Sequence, residues 1–136
     1  MDLRREFDLP PDDVTFLDGY GRPWETTVDG SQWVLIHEFS TQHEGYNSAT
    51  VTVAIRLETG YPLASLDMVY VHPPMSRRDG QALRCTEALQ AIHGVQYQRW
   101  SRHYTDANPW VAGIDGLERH VLSIEEWFRR EMPSCA

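Results

Sequence analysis

The feature that most constrains the fold is the stretch from Thr50 to Leu57, where Val51, Val53, Ile55 and Leu57 alternate with Thr50, Thr52, Ala54 and Arg56. In an extended chain every second side chain falls on the same face, so this stretch belongs to a sheet with one face on a core. Its neighbours read the same way. Trp24 to Val28, the turn Asp29-Gly30-Ser31 and Gln32 to Phe39 form a hairpin, because Asp-Gly supplies the positive φ of a tight turn. After Thr59-Gly60-Tyr61-Pro62, the run Leu66 to Val71 makes a fourth strand, ended by His72-Pro73-Pro74. Four strands with short connections predict an antiparallel meander.

From Ser76 the period changes. Arg77-Arg78-Asp79-Gly80 is a polar loop, and Ala82 to Ile92 reads as a short helix or an irregular connection. The C-terminal stretch is a helix: Leu117, Val121, Ile124 and Phe128 form one apolar stripe, and Asp115 with Glu118 resembles a capping box. Arg129 and Arg130 suit its negative end, and Pro133 stops it. Residues 1–20 read as an N-terminal arm anchored by Phe7, Leu9, Val14, Phe16 and Leu17, because Pro10-Pro11 interrupts a helical run. Gly19-Tyr20-Gly21 marks a turn. Strands, then an irregular stretch and a helix, predict an α+β fold, and 136 residues suit a single domain over 1–136.

Charge and composition exclude several functions. A net charge of −8 disfavours a nucleic-acid partner, which needs a basic face. No stretch approaches the roughly 18 apolar residues of a membrane span, and the N-terminus lacks the apolar core of a signal peptide, so a cytoplasmic protein is expected. Cys85 and Cys135 are too few for a disulfide framework or a four-ligand zinc site. His37, His43, His72, His93 and His120 show no metal-ligand spacing, so neither metal nor cofactor is expected. No Gly-x-Ser-x-Gly elbow or phosphate loop occurs. All twelve basic residues are arginines.

The most reactive cluster is Gln98-Arg99-Trp100-Ser101-Arg102-His103, followed by Asn108-Pro109-Trp110. With the strands before it and the helix after it, the chain resembles the ubiquitin-conjugating fold. Gly60-Tyr61-Pro62 matches that fold's Tyr-Pro turn, Tyr70 its late-strand aromatic, and Trp110 the tryptophan that opens the next helix. Within the fold, the chain is similar to prokaryotic E2 family E. The matching motifs are Glu44-Gly45-Tyr46-Asn47, Leu66-Asp67-Met68, Pro73-Pro74-Met75, the Trp-Ser-Arg-His block and Gly113-Ile114-Asp115 after Trp110.

The resemblance implies a four-stranded meander, an active-site loop and a C-terminal helix. It also implies an acyl carrier in a bacterial pathway, with a ubiquitin-like modifier, an adenylating activating enzyme and a JAB-type metallopeptidase as partners. Such a carrier takes the modifier's C-terminal acyl group and passes it to a target amine, splitting one difficult transfer in two. In the eukaryotic pattern His-Pro-Asn precedes the active cysteine by about eight residues. This chain has His72-Pro73-Pro74, without the asparagine, and Cys85 follows Pro74 by eleven residues. Counting back from Trp110 instead puts the active position at Ser101 to Arg102.

Two nucleophiles therefore compete. A Cys85 thiol has some thiolate at neutral pH, raised by Arg77, Arg78 and Arg84 nearby in sequence. A Ser101 hydroxyl would form an oxyester and needs a base, for which His103 is the candidate. The family motif lies at Ser101, which puts it ahead of Cys85. The alternative for the whole block is structural, with Ser101 capping a turn and Arg102 and His103 tying down a loop. The protein would then be a catalytically inactive adaptor that binds the modifier or its activating enzyme.

Overall fold

The computed structural model describes residues 2–132, so Pro133 and Cys135 lie outside the described residues. Helix α1 (Pro11–Tyr20) starts on the proline pair that was expected to interrupt it, with Pro10 at the N-cap. A first-turn N–H has no helical partner, so proline loses nothing there, and its fixed φ is already helical. Gly21 ends the helix in the left-handed region at φ 84. Only the residues ahead of Pro10 behave as an arm, and Arg5 forms a parallel bridge with Thr26.

The strands are β1 (Trp24–Asp29), β2 (Ser31–Ser40), β3 (Thr50–Leu57), β4 (Val69–His72), β5 (Leu89–Ile92) and β6 (Val95–Trp100). They form one six-stranded antiparallel sheet in the order β1-β2-β3-β4-β6-β5. The expected meander is therefore extended by a hairpin, and two expectations are corrected. Of residues 82–92, 82–88 form the irregular connection rather than a short helix, and the last four are strand β5. Gln98, Arg99 and Trp100 belong to β6, not to a loop. The cause lies between them: His93 and Gly94 take φ 48 and 77, the two left-handed positions of a tight hairpin turn.

Strand β4 begins three residues later than the apolar run. Met68 adopts φ 55, which breaks the extended path, and its N–H donates to Arg102 O at 2.9 Å. The sheet also curls. The His93 ring meets Thr27 Oγ1 at 2.7 Å and the His93 backbone N–H donates to Asp29 Oδ2, so the hairpin tip touches β1. A second, small core of Trp33, Leu35, Ala54, Tyr70, Ile92 and Tyr97 is enclosed on that face.

Helix α2 (Leu117–Arg130) covers the other face. Leu117, Val121, Ile124 and Phe128 are buried as the stripe requires, joined by His120 and Trp127. Its cap is not local. Gly116 holds the N-cap position, while Asp115 accepts from Val111 N and pairs with Arg119. The free Leu117 N–H instead donates to Asp13 Oδ1 of α1 at 3.2 Å, and Tyr61 donates its hydroxyl to Asp13 Oδ2 at 2.6 Å. Burial, reinforced by this carboxylate, pushes the Tyr61 phenol well above its ordinary range and keeps it a donor. A Cβ on Gly116 would come within 2.9 Å of Asp13 Oδ1, which accounts for the glycine.

Removing this carboxylate orphans two donors at once, one buried and one half-buried. Asp13→Ala is expected to lower the unfolding free energy by about 2–4 kcal/mol, and Gly116→Ala to act in the same direction by displacing it. Urea denaturation measures both, and a wild-type midpoint for Asp13→Ala would contradict the capping role.

Candidate functional site

The competing nucleophiles are neighbours in space. Past the end of β5 the preceding chain stays alongside β6: Arg99 N donates to Ala88 O at 2.9 Å and Ser101 N to Cys85 O at 3.1 Å. Cys85 is exposed, a free thiol, and takes φ 55, which turns the chain at that point. Ser101 is half-buried on the facing segment. The forward count from Pro74 and the backward count from Trp110 thus end on one backbone hydrogen bond.

Arg102 is held in place. Its Nη1 donates to Arg84 O at 3.0 Å and to Ser101 O at 3.1 Å, and its Nη2 to Glu131 Oε1 at 3.1 Å. The guanidinium also lies 4.9 Å from the Trp100 ring centroid, and the side chain is only 13% exposed. Glu131 accepts from Arg84 as well, while its carbonyl accepts from Arg77. These bonds fasten both segments to the end of α2, so Arg102 is a positioning group.

His103 does not engage Ser101. Its Nδ1 bonds Asp67 Oδ1 at 2.8 Å, a pair exposed at the surface. That bond fixes the tautomer and leaves Nε2 as the basic nitrogen. The pair is brought to the strip by the Met68-to-Arg102 backbone bond and held from beneath by His120. His120 Nε2 donates to Met68 O at 2.8 Å, and its Nδ1 accepts from the Tyr104 hydroxyl at 2.8 Å. Burial, opposed by the Met68 bond, pushes the His120 imidazole down to about 4, so it is neutral at working pH.

The His72-Pro73-Pro74 segment is built into the scaffold. His72 Nδ1 donates to Gln96 O, and the Asn47 amide bonds Pro74 O and Ser76 N. Gln98 clamps Met75, accepting from its N–H at 2.9 Å and donating to its carbonyl at 3.0 Å, and its oxygen also accepts from Trp100 Nε1. Other histidines have structural partners too: His37 lies between Glu25 and Thr52. Among the described residues no group of three or more His, Cys, Asp or Glu side chains could hold a metal ion. No helix among them is long and apolar enough to cross a membrane.

Sequence reasoning missed Asp67, His120 and Glu131, which act on the strip from elements distant in the chain. The Leu66-Asp67-Met68 motif was the available signal, an acidic residue and a flexible apolar one ahead of a strand.

The sheet-and-helix frame thus presents a thiol, a hydroxyl and a histidine–carboxylate pair on one irregular strip, and a family match makes the chain an E2-like prokaryotic protein. The family model described as Prokaryotic E2 family E matches residues 9–131, and the chain belongs to that family. A stretch of 65 residues is also 28% identical to an L-arabinose isomerase of Koribacter versatilis (strain Ellin345), covering 48% of this chain. The chain spans only 13% of that relative's length. No solved structure matches the chain.

The buried His120 gives the site a pH signature. Its folded value near 4 lies below the ordinary 6.5, so the unfolded chain binds the extra proton between these limits. Stability from this group is complete above pH 6.5 and falls by up to roughly 3 kcal/mol as pH drops toward 4. Glu25 adds a separate loss at lower pH. Burial opposes its ionisation, but bonds from Arg4 and His37 prevail and hold its carboxyl near 2. Thermal unfolding of His120→Gln across pH 4–7 is expected to lose most of the upper slope, because the amide keeps both hydrogen-bond roles and does not titrate.

Proposed function

We propose that this chain is an acyl carrier of the conjugating type. It accepts the C-terminal acyl group of a ubiquitin-like modifier from an adenylating activating enzyme and transfers it to a target amine, in a pathway with a JAB-type metallopeptidase. The observation that carries the reading is the hydrogen bond from Ser101 N to Cys85 O, which unites both candidate nucleophiles beside the Asp67–His103 pair.

Cys85 is assigned the acyl group. The Ser101 hydroxyl has no base bonded to it among the described residues, since His103 turns to Asp67, whereas an exposed thiol needs little activation. In the first step the Cys85 thiolate attacks the activated carbonyl, a C–S bond forms and the activating group leaves. In the second an amine attacks the thioester, a C–N bond forms, and sulfur departs with the electron pair of the broken C–S bond. His103 Nε2 accepts the amine's proton, and Asp67 stabilises the resulting imidazolium. The lysine-free composition supports the same reading, because the carrier offers the activated acyl group no side-chain amine of its own.

The missing asparagine favours a second reading, the inactive adaptor, and one experiment separates them. With activating enzyme, modifier and ATP, the wild type is expected to form an adduct that thiol reductant releases. Cys85→Ala should abolish it and Ser101→Ala retain it. The reverse pattern with a reductant-resistant adduct would assign the acyl group to Ser101, and no adduct with binding retained would establish the adaptor. His103→Gln is expected to slow transfer to amine about 10²-fold with charging intact.

A further inference from the structure

The two edges of the sheet are treated differently. Along β1 the N-terminal arm covers the backbone: Thr26 N donates to Arg4 O at 3.0 Å and Glu6 N to Thr26 O at 3.0 Å. Along β5 nothing among the described residues pairs beyond it. Exposed edges invite a further strand and are normally protected by charge, proline or a bulge. Leu89-Gln90-Ala91-Ile92 has neither charge nor proline, and Leu89 is 60% exposed.

The ladder shows which groups are free. Ala88 O is turned to β6, where it accepts from Arg99 N, and Ile92 faces Val95 across the two-residue turn. Residues alternate in an antiparallel pair, so Ala88, Gln90 and Ile92 bond to β6, while Leu89 and Ala91 point N–H and C=O outward. The Gln90 side chain donates to the Ala91 carbonyl at 3.0 Å, an in-chain substitute for a missing neighbour.

Direction makes the edge specific. Strand β5 runs away from Cys85, which precedes Leu89 by four residues, about 13 Å of extended chain. A strand added antiparallel therefore runs toward Leu89 and ends at Cys85. A parallel one would end at the hairpin tip, far from the thiol.

We propose that β5 is the docking edge for the extended C-terminal tail of the ubiquitin-like modifier, which adds as a seventh strand and delivers its terminal carbonyl to the Cys85 thiol. This rests on the assignment of Cys85 as acyl carrier. The tail that fits is uncharged or basic, given the exposed Glu87 beside the path and the chain's net charge of −8, with an apolar side chain next to Leu89.

Ala91→Pro in the full chain removes the outward N–H and leaves the bonds of Gln90 and Ile92 to β6, a position where an edge tolerates proline. With activating enzyme, modifier and ATP, adduct formation is expected to slow roughly five- to tenfold, with circular dichroism unchanged. Amide exchange of the wild type is independent of whether the variant folds: the Leu89 and Ala91 amides should exchange fast in the free protein and become protected in the adduct. An adduct with both amides still unprotected, or a folded Ala91→Pro charging at the wild-type rate, overturns the docking edge while the carrier assignment stands. If the wild type forms no adduct, the carrier assignment fails. Titration with a C-terminally amidated peptide of that modifier's tail then decides the edge, upheld by protection of the two amides and overturned by none.

Discussion

The bond from Leu117 N–H to Asp13 makes one carboxylate the start of α2, and the site depends on where α2 ends. Over its 14 residues the helix spans about 21 Å. At the near end Asp13 joins α1, the Tyr61 turn and the first helical N–H. At the far end Glu131 receives Arg84 and Arg102, one from each segment of the reactive strip. The helix is thus a strut between a capping carboxylate and a clamping one.

Irregular backbone near a core must find hydrogen bonds outside a ladder, and this protein supplies them from a few buried side chains. Gln98 serves both polar groups of Met75, His120 the carbonyl of Met68, and Tyr46 donates its hydroxyl to Phe128 O at the end of α2. Each acts on a segment that leads into the strip or supports it. The cost of burying neutral polar groups is offset only when every partner is present, so these residues fix one conformation for a region with little regular structure. The backbone bond from Ser101 N to Cys85 O sits in the region they support.

What the sequence made legible follows from the range of each interaction. The extended run of β3, the Asp-Gly turn and the α2 stripe are local patterns, and the structure contains them, but β3 carries a core on both faces rather than one: Val51, Val53 and Ile55 lie in the main core and Ala54 in the second. The β5–β6 hairpin was missed because its turn is His93-Gly94, a weaker signal than Asn-Gly or Asp-Gly, although Val95, Tyr97 and Arg99 alternate with Gln96, Gln98 and Trp100. The cap of α2 was assigned to Asp115 because a capping box is a local motif. Asp13 lies 104 residues away and no spacing rule reaches it. The same holds at the site. Cys85 and Ser101 stood out by chemistry, but their adjacency and the turn of His103 to Asp67 arise from strand pairing, which a linear count does not see.

The absence of lysine has two readings, one of geometry and one of reactivity, and the arginines themselves separate them. Arg102 reaches two carbonyls and a carboxylate while lying over an indole, and Arg77 binds both Asp79 oxygens and the Glu131 carbonyl. Only a planar fork spans such partners, so at these positions geometry alone selects arginine. Arg129 also uses its fork, donating to Gln42 Oε1 at 2.9 Å while facing Glu126 at 3.4 Å, but Arg130 differs: it is largely exposed and pairs loosely with Glu126 at 3.6 Å. An ammonium would serve such surface pairs equally well, because their strength is small and indifferent to the shape of the cation. Lysine is missing there too. Arg130 lies in the last turn of α2, where a positive charge of either kind suits the helix end. At such a position the property that distinguishes arginine from lysine is its lack of nucleophilic reactivity, which is what the proposed carrier role would require of the surface.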